Sequence, residues 1–114
     1  MKKIINIIFL FTFCLFPYAS LSGDLTLGKQ IAQTNCGTCH GLDGQSTGGG
    51  NSAITPNLTG QKKEYMIAKL KDYRSGKLQD GIMTIVAQML SDEQIENVAA
   101  WYSNIKITIE LPTE

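Results

Sequence analysis

The sequence predicts an all-α domain, and three observations carry that expectation. Apolar residues recur at three- and four-residue intervals in three separate segments. The stretches between those segments are rich in Gly, Pro, Asn and Ser. Strict two-residue alternation is confined to the last ten positions, too little for a sheet. The first helical segment runs directly into Cys36-Gly37-Thr38-Cys39-His40, where the chemistry of the chain is concentrated.

The N-terminus sets the bounds of the mature domain. Met1-Lys2-Lys3, an apolar run from Ile4 to Phe16 and the small-residue stretch Ala19-Ser20-Leu21-Ser22 have the three regions of a secretory signal peptide. Residues 1–22 are therefore expected to be cleaved, leaving a mature chain that starts near Gly23; a cut after Ala19 is the alternative. A mostly apolar run of 13 residues is short for a membrane span, which needs about 20. Phe13 before Cys14 also argues against a lipid-anchored cysteine.

Asp24 is placed to cap a helix from about Leu25 to Thr34, with Leu25, Gly28, Ile31 and Ala32 on one face. Gly41 to Gly50 reads as a flexible loop, since Gly, Asp, Gln, Ser and Thr dominate it. Thr55-Pro56-Asn57-Leu58-Thr59-Gly60 is a turn leading into a second helix, about Gln61 to Ser75, which Gly76 ends. On it, Tyr65, Met66, Leu70 and Tyr73 are spaced for packing. Lys62, Lys63, Lys69, Lys71, Arg74 and Lys77 make the stretch basic, read as a solvated face rather than a steering patch. Ser91-Asp92-Glu93-Gln94 fits a capping box for a last helix, about Asp92 to Ser103, with Leu90 and Ile95 as a staple. Ile95, Val98, Ala99 and Tyr102 form its apolar stripe, with Trp101 beside it. Residues 105–114 alternate like an edge strand without a partner, and no function attaches to them.

Composition narrows the function. Removing Lys2 and Lys3 with the leader leaves eight basic residues against ten acidic ones, which excludes a nucleic-acid binder by charge. Residues 23–114 make one small domain whose side chains alone give a marginal core, so a large bound group would complete it. Loss of Cys14 leaves Cys36 and Cys39, which in an oxidising compartment need to be covalently occupied.

Two thiols three residues apart, followed at once by an imidazole, form the attachment signature of a c-type haem. On a helical turn Cys36 and Cys39 can each bond one edge of a porphyrin, and His40 can bind iron beneath it. A structural zinc site would take four ligands, and no second Cys or His pair exists. A redox dithiol would follow a strand in a βαβ unit, and no such strand precedes the motif. The second axial ligand separates carrier from catalyst. His40 is the only histidine, so a thioether is the remaining strong candidate, from Met66, Met83 or Met89. Met66 falls in a packing pattern and Met89 adjoins the Leu90 staple, where it too is expected to pack. Met83 follows the Asp80-Gly81-Ile82 loop, and position favours it.

With these residues in view the chain resembles the class I c-type cytochromes, and among them the small bacterial periplasmic cytochrome c553 type and single halves of dihaem cytochrome c4. The likeness rests on Cys36-Gly37-Thr38-Cys39-His40-Gly41, Pro56-Asn57-Leu58-Thr59-Gly60-Gln61, Tyr65 to Gly76, and Met83 ahead of Ser91-Asp92-Glu93-Gln94-Ile95. It implies a cytochrome c fold, with N- and C-terminal helices crossing and helices and loops wrapped round one covalently bound haem c. It implies Met83 as the distal iron ligand opposite His40. Pro56 would accept the His40 Nδ1–H through its carbonyl, Leu58 would pack on the haem, and Gly28 would lie where the first and last helices cross, under Trp101. The domain would span residues 23–104, with 105–114 a tail.

The function so implied is a periplasmic shuttle of single electrons between redox proteins. It would be a monomer meeting its partners transiently, with no nucleic acid and no stable membrane insertion. The alternative is a haem-bearing subunit of a periplasmic oxidoreductase complex, for example one oxidising a sulfur compound. A third reading, catalysis or gas sensing at an open haem, is opposed by Met83.

Overall fold

The computed structural model describes residues 22–46 and 54–113. The expected leader lies outside the described residues except for Ser22, as does the Gly48-Gly49-Gly50 part of the glycine-rich stretch.

Helix α1 covers Leu25–Ile31. Asp24 caps it as expected, its carboxylate accepting from the N–H of Thr26 at 2.7 Å and of Leu27 at 2.9 Å. The helical path does not stop at Thr34. It widens into a π turn over Ala32–Cys36 and resumes as α2, Gly37–His40. The widening is set at Gly37, whose N–H reaches back to the Ala32 carbonyl, and a Cβ there would stand 3.1 Å from that oxygen. Such single π turns inside helices often mark functional sites. Gly41, at φ +77°, breaks the helix directly after His40.

Helix α3 is Lys63–Arg74, and Gly76 at φ +79° ends it, its N–H donating to the Tyr73 carbonyl at 3.1 Å. Helix α4, Met83–Gln88, falls where a connecting loop was expected. Its Thr84-Ile85-Val86 run is β-branched and a poor helix former, so propensity hides it. Packing against α3 and full burial of Ala87 hold it. Helix α5, Asp92–Ser103, begins at a complete capping box: the Gln94 N–H donates to Ser91 Oγ at 3.2 Å, and the Ser91 N–H to Gln94 Oε1 at 2.9 Å.

The core is where α1, α3 and α5 meet. Ile31, Ala32, Met66, Leu90, Ile95, Val98, Ala99 and Tyr102 are buried in one cluster, so the α5 stripe and both staple residues lie inside as read. Gly28 is the contact point of α1 on α5: a Cβ there would press into the Asn97 carbonyl and stand 3.0 Å from Trp101 Cβ. Asn97 is also buried, and its Oδ1 accepts from the Asp24 N–H at 2.7 Å, tying the start of α1 to the middle of α5.

Arg74 fastens the opposite end. Its guanidinium donates to the Leu90 carbonyl at 3.1 Å and to the Asp92 carboxylate, holding the α3 terminus to the α4–α5 joint. That guanidinium keeps the Asp92 carboxyl below its ordinary range. Among the basic residues of this region, Lys63 pairs with Glu96 and Lys77 with Asp72, each at 3.2 Å, while Lys69 lies over the Tyr65 ring. The stretch therefore behaves as a largely paired helix surface. Residues 106–113 form no strand, and Ile109 and Leu111 are exposed. No helix among the described residues is long and apolar enough to cross a membrane.

Candidate haem site

The helices leave a cavity of about 600 Å³, within the range of small-molecule and cofactor pockets. Cys36, Cys39, His40, Pro56, Leu58 and Met83 all line it, so the residues expected to attach, ligate or pack on the haem meet in one place. The remaining wall is mainly apolar, with Met66, Leu70, Val86, Leu90 and Val98 contributing. Such a wall suits a large planar hydrophobic group.

Each polar residue is held by local structure. His40 is 6 % exposed and its Nδ1 lies 2.9 Å from the Pro56 carbonyl. A carbonyl only accepts, so Nδ1 carries the proton and Nε2 is left as the lone-pair donor for a metal. Burial pushes the Cys36 thiol up to about 11. It is thus protonated at neutral pH, the opposite of what a reactive dithiol needs, whereas an uncharged thioether fits the same surroundings. Leu58 is half-buried at the edge of the core cluster, and its N–H donates to the Gly44 carbonyl at 2.8 Å.

The three methionines separate clearly. Met83 lines the cavity, and its backbone N–H donates to Asp80 Oδ1 at 2.8 Å. The same oxygen accepts from the Ile82 N–H at 3.0 Å, and the Asp80 N–H donates to Thr84 Oγ1 at 3.0 Å. This reciprocal cap fixes the first turn of α4 and with it the Met83 backbone. Met66 is buried in the core cluster, as expected of a packing residue, although it also reaches the cavity wall. Met89 does not pack as expected. It is 67 % exposed, because the turn that ends α4 sends Leu90 inward and Met89 out.

Sequence reasoning missed the loop fastenings. Trp101 Nε1–H donates to the Leu42 carbonyl at 3.1 Å, and the Tyr102 hydroxyl to the Gly41 carbonyl at 2.9 Å. Burial raises the Tyr102 phenol well above its ordinary range, so it stays a donor. Gly44 is buried at φ +77°, where a Cβ would stand 2.6 Å from Thr59 Oγ1. Residues 41–46 are thus pinned between α5 and the 56–60 turn, against the flexible loop expected from composition. The only local signal was the alternation of Gly with Asp and Gln. The partners lie up to 61 residues away.

The sequence model of the cytochrome c family matches residues 25–106. The chain belongs to the cytochrome c family. It is 44 % identical over 86 residues to cytochrome c-554(548) of Halomonas halodenitrificans, covering 73 % of this chain and 98 % of that protein. It is 32 % identical over 100 residues to cytochrome c4 of Pseudomonas aeruginosa, covering 88 % of this chain and 47 % of the relative. The solved Acidithiobacillus ferrooxidans cytochrome c4 superposes with a TM-score of 0.61 at 29 % identity, over 68 % of this chain and 47 % of that one. The cytochrome thus spans nearly all of one relative and about half of the cytochromes c4. A more distant relative is the cytochrome subunit of sulfide dehydrogenase of Chlorobaculum tepidum, 29 % identical over 67 % of this chain and 64 % of that protein. As a cytochrome c, the chain has the cytochrome c fold, carries covalently bound haem c and transfers electrons. The cavity, with two cysteines, a tautomer-fixed histidine and apolar walls, fits that group.

Proposed function

We propose that this cytochrome is a monomeric periplasmic carrier of single electrons. In this reading Cys36 and Cys39 hold the haem by thioethers, and His40 and Met83 hold its iron. The observation that carries it is the convergence of these four side chains on one mainly apolar cavity. The leader over residues 1–22 would direct export, residues 23–104 would form the haem domain, and 105–114 would be a tail. Partners would be redox proteins met through small transient surfaces.

The haem supplies the one-electron couple of its iron. The residues keep the surroundings constant while the charge changes. The Pro56 carbonyl holds the His40 ring in one tautomer and orientation and strengthens its donation. The Asp80–Thr84 cap holds the Met83 backbone, and Leu58, Val86 and Leu90 exclude water from the apolar side. A thioether and a neutral imidazole together favour the reduced state and a high potential. A redox titration of the exported protein should return one electron per chain, with both states low-spin and indifferent to added carbon monoxide. A high-spin protein that binds the gas would overturn the closed-site reading and favour catalysis or sensing.

The Asp80 cap gives a second test. Asp80→Ala removes the carboxylate oxygen that accepts from the Ile82 and Met83 backbone N–H groups, a loss of about 1 kcal/mol by the usual worth of such caps. If Met83 holds the iron, imidazole should compete for its place with roughly fivefold higher apparent affinity at the ferric protein. Equal affinity in the variant and wild type would show that the cap does not restrain the ligand.

The relative named as a sulfide dehydrogenase subunit supports a second reading, a haem subunit of an oxidoreductase complex. Sizing chromatography of the native periplasmic fraction separates the two. A lone carrier elutes at the mass of one small chain, and a subunit elutes with its partner.

A further inference from the structure

Ser46 is a buried hydroxyl that the site as described leaves unused. It is 4 % exposed, and its Oγ lies 2.9 Å from the Pro56 carbonyl. That oxygen is the one His40 Nδ1 meets, also at 2.9 Å. A carbonyl oxygen offers two lone pairs, so both donors are accommodated together.

We propose that Ser46 is a positioning residue that sets the reduction potential through the carbonyl it shares with His40. The inference rests on His40 as an iron ligand and extends that reading. A strong acceptor at Nδ1 draws the ring proton away, makes the imidazole more anionic and so favours ferric iron. The Ser46 hydroxyl withdraws electron density from the same oxygen, making it a weaker acceptor for His40. It also fixes the peptide plane, and hence the direction in which the His40 ring is held. The result is a more neutral imidazole and a higher potential than an unshared carbonyl would give. Both donors are buried, so water does not readily replace either one.

The test uses the haem-loaded Ser46→Ala and Ser46→Thr proteins. Two readings are taken: the reduction potential, and the proton resonance of His40 Nδ1–H in the ferrous state. In Ser46→Ala the potential should fall and the resonance should move downfield, as the freed carbonyl accepts more strongly. Ser46→Thr, which restores the hydroxyl, should return both towards wild type. An unchanged or raised potential in Ser46→Ala, or a fall that Ser46→Thr fails to reverse, would overturn the proposal. Failure of the underlying ligand assignment shows separately, because the wild-type ferrous protein would then lack the strongly shifted ring protons of an iron-bound imidazole.

Discussion

Met83→Ala is expected to abolish the weak long-wavelength band that a methionine sulfur gives ferric haem, and to leave an iron that binds added small ligands. The expectation follows from place and restraint. Met83 lines the cavity with His40, and the Asp80 carboxylate holds its backbone from one turn below. Losing a thioether ligand also lowers the potential, since the neutral sulfur stabilises the reduced iron. Two controls make the result specific. Met89→Ala should leave band and potential unchanged, because the side chain is exposed and surface replacements usually stay within about 0.5 kcal/mol. Met66→Leu conserves volume in the core and should keep the band as well. If Met83→Ala retained the wild-type ferric spectrum, Met83 would not be the ligand.

Gly28→Val is expected to cost about 3 kcal/mol or more, a large share of the 5–15 kcal/mol that holds a small domain together. The added side chain would drive into the Asn97 carbonyl and against Trp101, which are parts of α5 and not free to move aside. Separating α1 from α5 there also strains the bond from the Asp24 N–H to Asn97. For a domain of this size the loss lowers the melting temperature by about 12 °C or more. Thermal unfolding of the haem-loaded protein measures it. Gly81→Ala is the matching control: a Cβ there meets nothing within 4 Å, so its melting temperature should barely change. Equal melting of the two variants would show that the Gly28 contact does not govern stability.

How readable each feature was depends on how far apart its partners lie. Asp24 and its two amide donors are within three residues, the Ser91 capping box closes over three, and Gly76 ends α3 by its own backbone freedom. Such features are complete inside a short window, so pattern and residue type suffice. The haem motif is of the same kind, five residues whose spacing alone carries their chemistry. Helix α4 was unreadable because its β-branched run argues against a helix, and only packing on α3 overrules that propensity. The π turn was unreadable because nothing in Ala32–Cys36 announces one extra residue per turn.

The same division holds for the site. The attachment motif, the candidate methionines and the capped final helix were all present in the sequence, with the family resemblance assigning Gly28, Trp101, Pro56, Leu58 and Met83 their places. Only the folded chain brings Ser46 and His40 to one carbonyl, pins Gly41 and Leu42 to α5, sets Arg74 on the Leu90 carbonyl and turns Met89 outward. The reason is physical. A helix cap or a haem motif satisfies its groups locally, whereas a loop carbonyl 59 or 61 residues from its donor finds that donor only after the helices have packed.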